Sequence, residues 1–148
     1  MNKHQKKILL NLFAVLGITF IMVVAMVNFK DYVNRSEAML AMDQIGKFAL
    51  GYRNDKGHLP PEKFFYEVRE KVQGAPRLQN LVYRARWIGI DAKPDEILAY
   101  AQKNYNSLLL GNGYVVLRLS GQIEWMKKNE FENLLEKQQT TFEAELTK

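Results

Sequence analysis

The sequence predicts an α+β protein in which one long N-terminal helix, apolar in its first half and amphipathic in its second, packs on a small antiparallel sheet. Three observations carry that prediction. Residues 8–29, ILLNLFAVLGITFIMVVAMVNF, contain no charged side chain. Ala38, Ala41, Met42, Ile45, Phe48, Ala49 and Tyr52 then recur at three- and four-residue steps, which is one face of an amphipathic helix. Further on, Tyr114-Val115-Val116-Leu117-Arg118-Leu119 and Gln122-Ile123-Glu124-Trp125-Met126 flank Ser120-Gly121, the pattern of a β-hairpin closed by a two-residue turn.

The apolar run comes first. As a helix it is roughly 33 Å long, about one bilayer core. Lys3, Lys6 and Lys7 precede it, and Lys30 and Arg35 follow it, partly offset by Asp31. Positive flanks stay on the cytoplasmic side, so residues 1–7 are expected in the cytoplasm and the chain from about Lys30 outside it. A cleaved secretory signal is the competing reading, with Lys6-Lys7 as its basic region and Val23-Val24-Ala25 as its cleavage site. The run is longer than such signals, and helix-forming sequence continues directly after it. A buried core helix is the third reading, but no amphipathic stripe runs through residues 8–29. Ala14, Gly17 and Ala25, with Asn11 and Asn28, are the small and polar positions that let membrane helices approach or hydrogen-bond.

Composition bounds the remainder. About 115 residues follow the anchor, enough for one small domain with its own core. The net charge of +5 divides unevenly: residues 1–35 hold five Lys/Arg against one Asp, and residues 36–148 sixteen Lys/Arg against fifteen Asp/Glu. The basic excess therefore flanks the membrane. A nucleic-acid face needs clustered positive charge, so no nucleic-acid partner is expected. The chain has no cysteine, which removes disulfides, thiol catalysis and cysteine metal sites.

The long helix is expected over residues 6–53, weakened slightly by Gly46 and Gly51 and stopped at Asn54-Asp55-Lys56-Gly57. His58-Leu59-Pro60-Pro61 is extended, because residues before proline avoid the helical region. Pro61 then opens a helix, EKFFYEVREKVQ, with Phe64, Phe65, Val68 and Val72 on one face and Gly74 as its stop. Residues 77–93 read either as a short strand or as an irregular packed segment around Leu81, Tyr83, Trp87, Ile88 and Ile90. Lys93-Pro94-Asp95-Glu96 is a turn into a strand at Ile97-Leu98-Ala99-Tyr100. Leu108 to Leu110 is a candidate strand before the flexible Gly111-Asn112-Gly113. In the hairpin, Val115, Leu117 and Leu119 share a face, with Ile123 and Trp125 across from them. Asn129 is the expected cap of a last helix with Phe131, Leu134 and Leu135 as its apolar face. Residues 139–148 read as a polar tail.

Candidate chemistry is sparse. His58 stands beside Asp55 in a turn, but a lone histidine without a partner is a surface residue far more often than a catalyst. Asp43, Asp55, Asp91 and Asp95 lack the spacing of a calcium loop and read as turn and cap residues. Gly111-Asn112-Gly113 lacks the Gly-Lys-Ser/Thr of a phosphate loop. Ser36, Ser107 and Ser120 have no base nearby in sequence. The aromatics Phe64, Phe65, Tyr66, Tyr83, Trp87, Tyr100, Tyr105, Tyr114 and Trp125 are assigned to core before groove. No catalytic, cofactor-binding or metal residue and no small-molecule substrate are read from the sequence.

The order of elements resembles type IV pilins and pseudopilins. The segment Asp43-Gln44-Ile45-Gly46, Tyr52, then Asn54-Asp55-Lys56-Gly57-His58-Leu59-Pro60-Pro61, is similar to a helix-to-turn stretch in many pseudopilin-like proteins. The run from Ile97-Leu98-Ala99-Tyr100 through Tyr114-Val115-Val116-Leu117 to Gly121-Gln122-Ile123-Glu124-Trp125 resembles the prepilin-type-processing-associated domain. That domain ends in His, nine residues, Asp-Gly, and often His-Val-Glu-Trp. Here Leu110, Ser120 and Gln122 stand at its His, Asp and second His positions, while Gly121, Ile123, Glu124 and Trp125 keep the pattern. The apolar run opens Lys6-Lys7-Ile8-Leu9-Leu10-Asn11, without the peptidase motif of such proteins, and no acidic residue precedes Asp31. The resemblance implies a pilin-like α+β domain over residues 30–138, carried by a transmembrane helix at 8–29 in a bacterial inner (cytoplasmic) membrane. Its implied role is non-enzymatic: a structural or assembly component of a type II secretion or type IV pilus-like system, touching membrane lipid and the helices of secretion or pilus components. The alternative is a membrane-tethered extracytoplasmic binding module of the same fold that joins no filament.

Overall fold

The computed structural model describes residues 2–89, 91–105, 107 and 110–146. Helix α1 runs unbroken from Lys3 to Lys56, 54 residues and about 80 Å. Asn54 and Asp55, expected as the stop, stay helical; the helix ends one turn later at Gly57, whose N–H reaches Arg53 O at 2.8 Å. Its first half is long and apolar enough to cross a membrane, and none of the most apolar window is buried. Its second half is the spine of the domain: Ala38, Ala41, Met42, Ile45, Gly46 and Ala49 are fully covered or nearly so.

Helix α2 spans Glu62–Arg69 with Pro61 as the residue before it, shorter than the run to Gln73 that periodicity predicts. The chain turns early because residues 70–74 fold back against α1, where Gln73 N donates to Gln44 Oε1 at 3.3 Å. A short 3-10 turn at Ala75–Leu78 follows. The ambiguous segment then resolves into strand β1, Leu81–Tyr83, and a second 3-10 turn, Ala85–Trp87. Strand β2 is Ile97–Lys103, three residues longer than its apolar core because its pairing with β3 continues to Lys103. Strand β3 is Gly113–Arg118 and β4 is Ile123–Lys127. The candidate strand at Leu108 to Leu110 lies mostly outside the described residues; Leu110 itself is in a bend.

The four strands form an antiparallel meander in the order β1-β2-β3-β4. Val115 pairs with Trp125 and Leu117 with Ile123, the cross-strand partners that alternation predicts. The turn is wider than two residues. Arg118 closes it twice, its O accepting from Gly121 N at 2.9 Å and its N donating to Gln122 O at 2.9 Å. Gly121, at φ +90°, supplies the left-handed position that such a bulged turn needs. The β2–β3 register slips between Ile97 and Ala99, and Leu98 joins the same core as Ala99.

The sheet has two covered faces. One carries Ala99, Ala101, Val115 and Leu117 and packs on α1 and on Phe65 of α2. Gly46 is the point of closest approach: a Cβ there would lie 2.8 Å from Leu117 Cδ1. The other face carries Ile97, Tyr100, Tyr114 and Val116 and is covered by helix α3, Lys128–Gln138, through Phe131. The Phe131 ring stacks on Tyr114 with centroids 3.9 Å apart and leans on Tyr100 at 4.8 Å. Asn129 does not cap this helix; Lys127 precedes it and Asn129 lies inside its first turn.

The segment expected as a polar tail carries a last helix, α4, Thr141–Leu146. Thr140 Oγ1 accepts from Glu143 N at 3.2 Å, the contact of a helix cap. Glu143 is 1% exposed and meets Arg84, 3% exposed, in a two-pronged pair: Nε to Oε1 at 2.6 Å and Nη2 to Oε2 at 3.0 Å. Arg84 Nη1 also donates to Ile97 O at 2.8 Å, and Gln138 Oε1 accepts from Ile97 N at 2.9 Å. The strand ends and the C-terminal segment are thereby stitched together.

Two substitutions test these supports. Phe131→Ala should lower unfolding free energy by about 3–5 kcal/mol, as loss of a fully buried aromatic does, read by denaturant titration of the full chain in detergent. Glu143→Leu alone should cost about 3–5 kcal/mol by leaving the Arg84 guanidinium buried and unpaired. The double change Arg84→Met with Glu143→Leu should recover most of that loss.

Candidate functional site

Two polar places stand out, one at each end of the domain. The first is a cleft of about 410 Å³ at the end of α1 far from the apolar half. Its walls come from the last turn of α1, the extended segment 58–61 and the turn after β1. Pro60, Ile88 and Leu119 give it an apolar floor, and Arg53, His58, Glu62 and Arg86 stand around it. Tyr83 holds the wall in place: its hydroxyl donates to Pro60 O at 2.9 Å, and its ring stacks on Phe65 with centroids 3.7 Å apart. Burial, then the Glu62 carboxylate, raises the Tyr83 phenol above its ordinary range, so it remains a donor at neutral pH.

Charge in this cleft is unequally committed. Glu62 Oε2 takes Arg86 Nη2 at 2.8 Å, which neutralises both. Arg53 has no ion-pair partner among the described residues. His58 is exposed, lies edge-on to Tyr52 at 5.5 Å, and keeps Nδ1 2.9 Å from Leu59 O. An apolar floor with one uncommitted guanidinium and an adjacent imidazole suits a ligand with an apolar body and one anionic group.

The second place lies where α1 enters the domain. Asn28 Nδ2 donates to Val24 O at 2.8 Å, and the Ser107 hydroxyl donates to Asn28 Oδ1. The Arg35 guanidinium lies 4.6 Å over the Trp125 ring, and Trp125 contacts Tyr105 at 5.5 Å. Asp31, read from sequence only as an offsetting charge, is 7% exposed, and its Oδ2 has no hydrogen-bond partner among the described residues. The Tyr105 hydroxyl is buried and likewise without a partner. Burial pushes the Tyr105 phenol up to about 12, with Asp31 acting in the same direction and Arg35 against it.

The sequence candidates do not converge. Ser107 sits with Asn28, about 45 Å along α1 from the turn that carries His58. Ser120 lies in the hairpin turn, its Oγ accepting from Gln122 N at 3.4 Å. Asp43 pairs with Lys47 at 2.6 Å, and Asp95 contributes its backbone oxygen to Arg118 and Gln138. Among the described residues no three His, Asp or Glu side chains gather around one point. Of the aromatics assigned to core, Phe65, Tyr83, Tyr100 and Tyr114 are buried, while Phe64 is exposed and packs on Phe48 and Tyr52. Arg53 and Arg86 were missed because 33 positions separate them and neither belongs to a motif; only the turn after β1 brings them to one cleft.

The buried phenols give the domain a defined alkaline limit. Tyr66, Tyr83, Tyr100, Tyr105 and Tyr114 are all raised, chiefly by burial. The fold favours their neutral form, so their contribution to stability is whole below about pH 10, the unfolded value. It declines as pH climbs from there through the raised folded values. Near-ultraviolet absorbance of the tyrosinate should therefore rise together with loss of the circular dichroism signal, and these five phenols should not ionise as free tyrosine does. Compared with protein-family models, curated proteins and solved structures, the chain has no match.

Proposed function

We propose that this is a non-enzymatic, single-pass membrane protein, a pseudopilin-like structural or assembly component of a type II secretion or type IV pilus-like system. The supporting observation is the division of α1: one rigid helix whose apolar first half is uncovered and whose second half is the core of a four-stranded antiparallel domain. A helix of this kind has one face of its length already satisfied and the other half available to lipid or to neighbouring helices. Lys3, Lys6 and Lys7 hold the N-terminus in the cytoplasm of a bacterial inner membrane, and the domain stands outside. Asn11, Ala14 and Gly17 are exposed and supply the close-packing positions for helix partners.

A second reading is favoured by the distal cleft. A tethered module that binds a ligand at Arg53 and His58, about 38 Å along α1 from Asn28, needs the anchor only to stay at the membrane. The burial of Asp31 within its own domain and the absence of acidic residues from 8–29 suit a helix that joins no filament.

Deleting residues 8–29 should release the protein into the soluble fraction, whereas the full chain should resist carbonate extraction. A deletion product that still sediments with washed membranes sinks the anchor. Single cysteines at Asn11 and Gly17 separate the two readings: crosslinked ladders containing secretion or pilus proteins support the assembly component, and monomer alone supports the tethered module.

A further inference from the structure

We propose that strand β4 takes up an extended segment of a different polypeptide along its free edge, a segment that alternates acidic with apolar residues. β4 is the last strand of the meander, and its register with β3 decides which of its backbone groups look outward. Arg118 N donates to Gln122 O at one end of the pair, and Lys128 N donates to Asn112 O at the other. Bonded and unbonded pairs alternate in an antiparallel ladder, so Glu124 and Met126 bond to β3 while Ile123, Trp125 and Lys127 face away. The Lys127 carbonyl opens α3. The N–H and C=O groups of Ile123 and Trp125, and the Lys127 N–H, meet no partner among the described residues. No residue of β4 is buried, and neither a proline nor a bulge blunts the strand. The opposite edge of the sheet is closed: the Tyr66 hydroxyl donates to Leu81 O at 3.2 Å and meets the Tyr83 backbone as well.

A second copy of the chain does not fit this edge. β4 runs back along α1, from Gly121 against Leu50 to Trp125 beneath Arg35. Two β4 edges paired antiparallel would point their α1 helices in opposite directions. Spans that share one membrane and one side for their N-termini forbid that, a step that rests on the reading of residues 8–29 as a span. A parallel pair of the same edge needs a one-residue stagger, which no two-fold axis supplies. The β1 edge of a neighbouring copy is occupied by its own Tyr66. The strand that fits therefore comes from another sequence. Its chemistry follows from the two faces of the sheet. Residues opposite Trp125 and Lys127 share the α1 face with the Arg35 guanidinium and the Lys127 ammonium. Neither cation has a carboxylate partner among the described residues, so acids suit those positions. A residue opposite Met126 shares the other face, where Met126 packs on the Phe131 cluster, and an apolar side chain extends that cluster.

Amide hydrogen exchange of β4, followed by nuclear magnetic resonance on the full chain in phospholipid nanodiscs, tests this. Without a partner, Glu124 and Met126 should exchange slowly and Ile123, Trp125 and Lys127 fast. A blocked hexapeptide alternating valine with glutamate, at millimolar concentration, should slow the three outward amides by about tenfold or more. The same peptide with lysine for glutamate should leave them fast. Lys127→Pro removes one outward N–H and leaves the bonds to β3 in place; the φ of −64° at Lys127 already fits a proline ring. It should keep the slow amides of the parent and lose most of the peptide's effect at Trp125. Outward amides that stay fast in the valine–glutamate peptide overturn the proposal, and equal slowing by the lysine peptide overturns the acidic partner. Slow exchange at all five residues without peptide shows an edge already paired and overturns it too. A chain that does not enter the nanodisc overturns the span, and with it the exclusion of a second copy on which this inference depends.

Discussion

Everything in this molecule depends on one helix being shared between two environments. Residues 8–23 of α1 are covered by nothing among the described residues, and the Ala38, Ala41, Met42, Ile45 and Ala49 face further along is covered completely. Small side chains make the sharing workable. Ala38, Ala41, Gly46 and Ala49 let the sheet come down on the helix backbone, and Leu117 fills the space a Cβ at Gly46 would need. A helix packed this closely is rigid where it is held. Its rigidity carries straight into the apolar half, since no proline and no break intervenes.

From that spine the rest follows in layers. The meander lies along α1, its hairpin turn near Leu50 and its other end near Asn28, so opposite ends of the domain have different surroundings. One end presents a cleft with an uncommitted arginine; the other presents Tyr105 against Trp125 and the Ser107–Asn28 bond. Strand pairing alone does not seal the sheet's second face. Phe131 does, with Tyr100 and Tyr114 forming an aromatic patch that needs no second large helix. The two faces thus use different means, small residues against a helix on one side and stacked rings on the other.

What the residues announce beforehand is what depends on local pattern. The charge-free run, the Ala38 to Tyr52 stripe and the Val115–Leu117 alternation each name an element, and the structure has all three. The α+β arrangement of long helix and small antiparallel sheet was therefore legible. Strand β1 was legible only as one of two readings of residues 77–93, because three residues hold no period and it is defined by its partner β2. Nor was the Arg84–Glu143 pair: 59 positions separate two charges that look like ordinary surface residues in a chain with many of each. The distal cleft was hidden for the same reason, since Arg53 and Arg86 meet only through the fold. Asp31 was visible as a charge, but its burial depends on the approach of the loop after β2.

The Arg84–Glu143 pair also orders events during synthesis. Arg84 directly follows strand β1, while its carboxylate comes from α4, 59 positions further along the chain. Until Glu143 has emerged, the guanidinium beside Ile97 O has no counter-charge, and closing the domain around it would strand a cation in the interior. Closure of the domain around Arg84 in this way waits for α4, and β1 stays loosely held until that helix has docked.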